Sequence, residues 1–116
     1  MKIQNPIFSH LNNKVILLVA AQAELEGTGR LHLSLVGIES ARRVIERIYE
    51  TLEQLCNYPN MGALLSESDL RHEGYRRIIS GNYLCFYRVI GKTVFVYHIA
   101  DGRTEYKRLL KDLTEE

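Results

Sequence analysis

The chain has 116 residues, of which 46% are hydrophobic and 25% are charged, and this balance predicts one soluble globular domain with a single core. The formal net charge is +1, yet residues 76–111 carry eight basic and two acidic side chains, a local charge of +6. An anionic partner would bind this basic half, although solvated side chains on strand and helix faces explain any one of these residues equally well.

The first part of the chain divides into an extension and a strand. Residues 1–13 contain Pro6 and no sustained hydrophobic period, so we expect a partly ordered extension before a single domain at residues 14–116. The run Val15–Val19 is typical of a short strand buried on both faces. The stretch KVILLVAAQA could imitate a secretory signal, but it is short and lies far from the start, which favours a core strand. No run is long enough to span a bilayer.

The segment Ala20–Val36 fits two secondary structures. Leu25, Gly29 and His32 lie on one stripe of a helix. Glycines inside a helix each cost about 1 kcal/mol, however, and the alternating leucines that follow EGTGR also fit a β-hairpin. Periodicity alone leaves both alternatives open.

The next element is an amphipathic helix. Apolar residues recur at every third or fourth position over residues 41–55, and charged residues fill the opposite face. Gly37–Ser40 supplies the start and Asn57–Pro59 the stop, because the residue before a proline is disfavoured in a helix. We interpret Arg43 and Arg47, on the charged face, as ordinary surface charges.

The C-terminal half predicts a sheet followed by a helix. We expect a polar loop after PNMG and then an antiparallel meander, since three β-rich runs, Tyr75–Ile79, Tyr83–Val89 and Thr93–Ile99, are separated by hairpin-sized turns. A short amphipathic helix follows over residues 106–113. The order of elements predicts a compact α+β domain. The side chains expected in its core include Phe86, Val94, Phe95, Val96 and Ile99.

Motifs for metal or cofactor chemistry are absent from the sequence. Cys56 and Cys85 lie in apolar surroundings without CxxC spacing, so we expect neither a metal site nor a disulfide, and a reducing cytoplasm suits them. The chain has no phosphate-binding glycine loop and no nucleophile elbow, and its four histidines lack zinc-binding spacing. We therefore expect no cofactor and no metal ion.

Four motifs, taken in order, carry a family resemblance. YPNMG after a long helix, then GYRR, NYLCFYRV and HIADGRTEY before a terminal helix, resemble the RelE/ParE superfamily of bacterial toxins from type II toxin–antitoxin systems, over residues 14–113. The resemblance implies an N-terminal strand, a two-helix hairpin, a three-stranded antiparallel meander and a C-terminal helix. It also favours a helix for Ala20–Val36. In such a fold ADGR is the corner that leaves the last strand, at the edge of a concave face.

The resemblance further implies a cytoplasmic toxin that arrests growth, a role associated with plasmid stabilization. Its partner would be a cognate antitoxin that folds on binding and covers apolar and basic surface of the toxin. RelE-type members are similar to ribosome-dependent endoribonucleases that cut messenger RNA. ParE-type members instead bind and poison DNA gyrase without hydrolytic chemistry.

Three positions discriminate between these activities. Leu84 stands where the RelE-type pattern has an arginine, Thr104 stands where another arginine is usual, and Leu110 replaces a tyrosine. NYLCFYR and HIADGRTEY are more similar to ParE-type chains. We therefore favour a non-enzymatic gyrase poison over an mRNA endoribonuclease, and a non-toxic homologue that only binds an antitoxin is a third alternative.

The resemblance and the basic residues together predict site residues. Arginine can bind phosphate or carboxylate in bidentate fashion, and the residues expected to bind the target or the antitoxin are Arg76, Arg77, Arg88, Asp101, Arg103 and Tyr106. A nuclease would use His98, Arg103, Tyr106 and Arg77 as its catalytic residues. Histidine can serve as an acid or a base in catalysis, but for His98 a satisfied or exposed strand histidine is the more common explanation.

Overall fold

The computed structural model describes residues 5–9, 13–104 and 106–114. The helices and strands, in chain order, are β1 Phe8–Ser9, β2 Lys14–Leu17, α1 Val19–Leu35, α2 Ile38–Gln54, β3 Ala63–Leu64, α3 Ser68–His72, β4 Arg76–Ser80, β5 Tyr83–Ile90, β6 Thr93–Asp101 and α4 Lys107–Thr114. The described strands form one mixed sheet in the order β1-β2-β6-β5-β4-β3, in which β2 runs parallel to β6 and the other neighbours are antiparallel. The predicted α+β fold, with its two-helix hairpin, meander and C-terminal helix, is confirmed.

The helical hairpin resolves the ambiguity of the sequence in favour of a helix. α1 begins at Val19, so the predicted strand is shorter than expected and ends at Leu17. The turn into α2 is short because Gly37 adopts φ 123°, a conformation that side chains other than glycine rarely adopt. Gly29 faces Ile45 of α2, and a Cβ at Gly29 would lie 3.5 Å from the Ile45 side chain, an ordinary packing distance.

Apolar side chains cover both faces of the sheet, because successive residues of a strand point to opposite sides. One face packs against α1 and α2, with Cys85 and Tyr87 of β5 in contact with helix residues such as Leu52. The other face, with Leu84 and Phe86, packs against α3 and α4. Of the predicted core residues, Phe86, Val94, Val96 and Ile99 are buried and Phe95 is partly buried.

Both cysteines, Cys56 and Cys85, are buried. Burial raises the pKa of the Cys85 thiol to about 12, so this thiol remains protonated at neutral pH. Among the described residues, no helix combines the length and apolar character needed to cross a membrane.

Short elements account for the differences from the predicted fold. The segment after PNMG, predicted as a polar loop, contains β3 and α3, which are held by the buried side chains of Leu65 and Leu70. The described part of the opening segment contributes β1, where Phe8 pairs with Val15 and contacts Tyr49 edge to face. Elements of two to five residues contain too few positions for a hydrophobic period, so the sequence does not reveal them.

Candidate functional site

The six residues predicted to bind a partner do not form one site. Asp101 and Arg103 lie at the corner after β6, Arg77 and Tyr106 line a second cavity, and Arg76 and Arg88 make contacts within the fold.

The corner after β6 is built around the carboxylate of Asp101. Its Oδ1 accepts hydrogen bonds from the backbone N–H and Nε of Arg103 at 2.9 and 3.0 Å, and Oδ2 accepts one from Nη2 at 2.8 Å. The hydroxyl of Thr104 donates to the carbonyl of Asp101 at 2.7 Å. Hydrogen bonding from Arg103 lowers the pKa of Asp101. The predicted corner is confirmed, and its arginine is held in one orientation although it is largely exposed.

Arg76 belongs to a cluster that we call the loop anchor, formed by Pro59, Gly62, Arg76 and Tyr87. The hydroxyl of Tyr87 donates to the carbonyl of Pro59 at 2.8 Å and accepts from the N–H of Gly62 at 2.9 Å. Nη1 of Arg76 donates to the carbonyls of Gly62 and Asn60 at 2.7 and 3.1 Å. These bonds tie the YPNMG loop to the sheet, so Arg76 has a structural role.

Arg88 is held between aromatic rings on the other face of the sheet. Its guanidinium carbon lies 4.7 Å from the ring centre of Tyr75 and 5.8 Å from that of Tyr97. Nη2 donates to the hydroxyl of Tyr97 at 3.1 Å, and Nη1 lies 3.3 Å from Glu73. Cation–π contacts and an ion pair stabilise this packing. Arg88 borders an open cavity of about 580 Å³. Its Nη1 and Nη2 bond within the chain, whereas its buried Nε has no hydrogen-bond partner among the described residues.

Arg77 and Tyr106 are the predicted catalytic residues that the fold does bring together. Both line a cavity of about 290 Å³ between β4 and α4, with Glu67 and Lys107. The ring of Tyr106 stacks on Phe86 at 5.6 Å. A cation, a phenol and a carboxylate thus share one cavity, whereas His98 and Arg103 lie elsewhere.

His98 is buried and bound within the fold. Its Nδ1 lies 3.2 and 3.1 Å from the two carboxylate oxygens of Glu24 in α1, and Glu24 also accepts the N–H of Ile99 at 3.0 Å. The pairing of β5 with β6 shifts here, since Phe86 is opposite His98 while Tyr87 is opposite Val96. Such a bulge redirects side chains. The satisfied strand histidine that the sequence favoured is therefore what the fold contains.

A pocket missed by the sequence lies between the helical hairpin and the turn from β4 to β5. We call it the hairpin pocket, and its lining residues are His32, Ser40, Arg43, Val44, Arg47, Ser80, Gly81, Asn82, Tyr83 and Arg103. Its volume is about 200 Å³. Three of the ten lining residues are arginines and none is acidic.

The polar floor of the hairpin pocket connects the helices to the sheet. His32 lies 3.0 Å from the hydroxyl of Tyr83 through Nε2 and 3.2 Å from Ser40 Oγ through Nδ1. Burial, and next the charge of Asp101, raise the pKa of Tyr83, so its hydroxyl stays protonated at neutral pH. Arg43 and Arg47 are exposed, as predicted for surface charges, but their four-residue spacing places them on one side of α2. This spacing is the one feature of the sequence that could have indicated the pocket. The contact of α2 with residues 80–83 forms only in the folded chain, because these segments are far apart in the sequence.

Two positions that discriminated between activities are apolar and buried. Leu84 and Leu110 are 8% and 6% exposed, and both belong to the cluster beneath α3 and α4. The described residues include no group of three or more histidine, cysteine, aspartate or glutamate side chains able to hold a metal ion.

Comparison with known proteins adds independent findings. The family model described as "ParE toxin of type II toxin-antitoxin system, parDE" matches residues 15–106. Toxin ParE1 of two Mycobacterium tuberculosis strains, CDC 1551 / Oshkosh and ATCC 25618 / H37Rv, is 26% identical over 101 residues, 86% of this chain and 100% of that protein. A solved chain described as "Chromosomal ParDE TA system from P. aeruginosa" matches with a TM-score of 0.65 and 19% identity, covering 78% of this chain and 96% of that chain. At this identity the structural match concerns the fold.

Proposed function

The chain belongs to the ParE family of toxins of type II toxin–antitoxin systems, and from this premise we propose that it arrests bacterial growth by binding and poisoning DNA gyrase. The observation that supports this choice of target is the apolar character of Leu84 and Leu110. RNA cleavage by a RelE-type site needs a cation beside the scissile phosphate. Here Leu84 occupies an arginine position and Leu110 a tyrosine position of the RelE-type pattern, and both leucines pack in the same apolar cluster.

The environment of His98 also supports a non-enzymatic poison. A general acid or base must lie within hydrogen-bond reach of its substrate. His98 is 7% exposed and its Nδ1 lies 3.1 Å from a carboxylate oxygen of Glu24, so the ring is enclosed between α1 and β6, where an RNA substrate has little access to it. We therefore assign His98 to the packing of α1 against β6.

The mRNA endoribonuclease is the alternative function, and one observation favours it. Arg77, Tyr106, Glu67 and Lys107 line the same cavity, which would supply cations, a phenol and a carboxylate to an RNA phosphate. In this alternative Arg77 and Tyr106 act in catalysis. A homologue that binds an antitoxin without being toxic is the third outcome.

We propose that a cognate antitoxin neutralises the toxin by covering the tip of the helical hairpin and the basic corner. The exposed apolar side chains described at this tip, which are between 53% and 73% exposed, are Leu31, Leu33, Leu35, Val36 and Ile38. Arg103 at the corner lines the adjacent hairpin pocket. An antitoxin segment with apolar and acidic residues would bind both surfaces as it folds. Arg77 and Tyr106 line the separate cavity between β4 and α4, which we propose as a second contact for the antitoxin or the target. Arg76 and Arg88 stabilise the fold from within.

Two measurements test the choice of target, which lies in the bacterial cytoplasm in either case. Purified toxin is added to gyrase and plasmid DNA, and linear DNA is measured after detergent treatment. We expect linear DNA to accumulate with the wild-type toxin, and we expect less linear DNA when the Arg103→Ala variant is added instead. Arg42→Ala is the matched control, because Arg42 lies on α2 outside the hairpin pocket and pairs with Glu39 on the surface.

The second measurement uses induction of the toxin in cells, with mapping of messenger RNA 5′ ends and DNA breaks in the same culture. DNA breaks that disappear in a gyrase-resistant host would support the proposal. New 5′ ends at a fixed position within translated codons, lost in Arg77→Ala, would instead establish the nuclease. Growth without either change would identify the non-toxic homologue.

A further inference from the structure

The hairpin pocket contains more positive charge than the surrounding residues neutralise. Arg103 is paired with Asp101. Neither Arg43 nor Arg47 makes an ion pair with any described residue. The three arginines carry three positive charges and Asp101 neutralises one of them, so a net charge of two remains at the pocket. Like charges held close together repel each other, so a ligand that supplies negative charge would be stabilised here.

The floor of the pocket contains a hydrogen-bonding group without a partner. Ser80 is 3% exposed, and its Oγ has no hydrogen-bond partner among the described residues. A buried hydroxyl without a partner costs about 1–3 kcal/mol. Ser80 is opposite Tyr83 in the β4–β5 ladder, and in an antiparallel pair opposite residues share a face. Both hydroxyls therefore belong to the side of the sheet that faces the helices.

Gly81 allows an arginine to approach this floor. The turn residue Gly81 has φ 60°, and a Cβ at this position would lie 3.0 Å from Nη1 of Arg47. The guanidinium of Arg47 is thus seated over the turn that carries Ser80. A larger residue at position 81 would push Arg47 away from the pocket.

We propose that the hairpin pocket binds a phosphate group, either free inorganic phosphate or the terminal phosphate of a nucleotide. The volume of about 200 Å³ is below the 300–1,000 Å³ of pockets for drug-sized ligands, so the pocket encloses a small group. Arginine guanidinium groups match the geometry of phosphate oxygens, and hydroxyl donors complete the set. This site does not depend on gyrase being the target.

A phosphate dianion fits the pocket better than a carboxylate. A carboxylate carries one negative charge and is satisfied by a single bidentate arginine, as Asp101 and Arg103 illustrate. A phosphate dianion carries two charges, which match the two that remain unpaired. Its additional oxygens can accept hydrogen bonds from Arg43, Arg47 and Ser80 together.

The test is a titration of the full-length isotope-labelled chain, followed by the amide signals of Gly81 and Asn82 in nuclear magnetic resonance spectra. The ligands are sodium phosphate, adenosine monophosphate and sodium acetate, at constant ionic strength in a phosphate-free buffer. We expect both phosphate compounds to shift these signals with saturation. We expect acetate to bind at least about tenfold more weakly, because it forms fewer charged hydrogen bonds. Tighter binding of the nucleotide than of inorganic phosphate would identify a nucleotide as the source of the phosphate group.

Two variants and one control connect binding to the pocket. Arg47→Gln should weaken phosphate binding by about tenfold or more, and Ser80→Ala should weaken it to a smaller extent. Arg42→Gln makes the same charge change on the same helix outside the pocket and should leave binding unchanged. Signal dispersion in each spectrum verifies that the variant is folded. Absence of a saturable shift with either phosphate compound, equal binding of acetate, or equal effects of Arg47→Gln and Arg42→Gln would each overturn the proposal.

Discussion

The two ends of the β4–β5 ladder both place a tyrosine and arginines close together, but they differ in how far the polar groups have partners among the described residues. At one end Arg76 is opposite Tyr87, and at the other Ser80 is opposite Tyr83. In the loop anchor, Arg76 and Tyr87 each bond to backbone groups of the YPNMG loop. In the hairpin pocket, the described residues provide the arginines with no ion pair apart from that of Asp101 with Arg103, and they provide no hydrogen-bond partner to Ser80 Oγ.

The difference shows that the neighbours of a basic residue decide its role. Backbone carbonyls of a loop that cannot join a helix or strand need donors, and Arg76 supplies them. Around the hairpin pocket seven of the ten lining residues lie in helices or strands, and the carbonyl of Asn82 in the turn accepts a hydrogen bond from the N–H of Gly102 at 2.7 Å. The side-chain donors of Arg43 and Arg47 therefore remain available to a ligand. Four predictions test this contrast, from the largest expected effect to the smallest.

The largest effect should follow from Gly62→Ala in the loop anchor. A Cβ at Gly62 would lie 2.5 Å from the carbonyl oxygen of Arg77 and 2.7 Å from the hydroxyl of Tyr87. Both groups are held in the fold, so we expect a loss of about 3 kcal/mol in the free energy of unfolding, measured by urea denaturation. The control is Gly29→Ala, which should stabilise α1 by up to about 1 kcal/mol because its Cβ meets Ile45 at an ordinary distance. Equal effects of the two variants would contradict the tight packing of the anchor.

A smaller loss should follow from Tyr87→Phe. The buried hydroxyl makes two hydrogen bonds, and its removal leaves the N–H of Gly62 and the carbonyl of Pro59 without this partner. We expect the free energy of unfolding to fall by about 2 kcal/mol. The matching change at the other end is Ser80→Ala, which removes a hydroxyl without a partner and should be neutral or slightly stabilising. Denaturation of both variants without added phosphate measures the difference, and a larger loss for Ser80→Ala would reverse the comparison.

The arginines at the two ends of the ladder should also differ in how much they contribute to the free energy of unfolding. Arg76→Gln removes donors to two backbone carbonyls and should lower the free energy of unfolding by about 1–2 kcal/mol. Arg47→Gln removes an exposed charge without an ion pair among the described residues and should change it by less than about 0.5 kcal/mol. Parallel thermal and urea unfolding measures both. If the two variants lose the same stability, Arg47 has structural contacts and the pocket is not preformed.

The smallest effect concerns the pH dependence of the corner beside the pocket. The ordinary pKa of an aspartate side chain is 3.8, and in the folded chain hydrogen bonding from Arg103 lowers the pKa of Asp101 below this value. The contribution of this pair is therefore fully present above pH 3.8 and is lost as the pH falls through the lowered value. We expect the difference in unfolding free energy between the wild type and Asp101→Asn to shrink in that range. A difference that grows on acidification would show that the Asp101 carboxylate is not stabilised by Arg103.

Local patterns determined most of the fold. The apolar spacing over residues 41–55 and the hairpin-sized turns between the last three strands predicted α2 and β4–β6 to within a few residues, because these signals arise from neighbours along the chain. The corner at Asp101 and Arg103 was predicted from the family resemblance of the HIADGRTEY motif. The short elements β1, β3 and α3 were missed because two to five residues are too few to show a hydrophobic period.

The sequence by itself determined a basic C-terminal half, an α+β order of elements and the residues of the toxin motifs. The tertiary structure decided which of those basic residues are available. It bound Arg76 to a loop and Arg88 between tyrosines, and it placed Arg43 and Arg47 of α2 beside Ser80 and the corner. The physical reason is that charge and polarity belong to individual residues, whereas desolvation and hydrogen-bond saturation depend on groups that come together only when the chain folds.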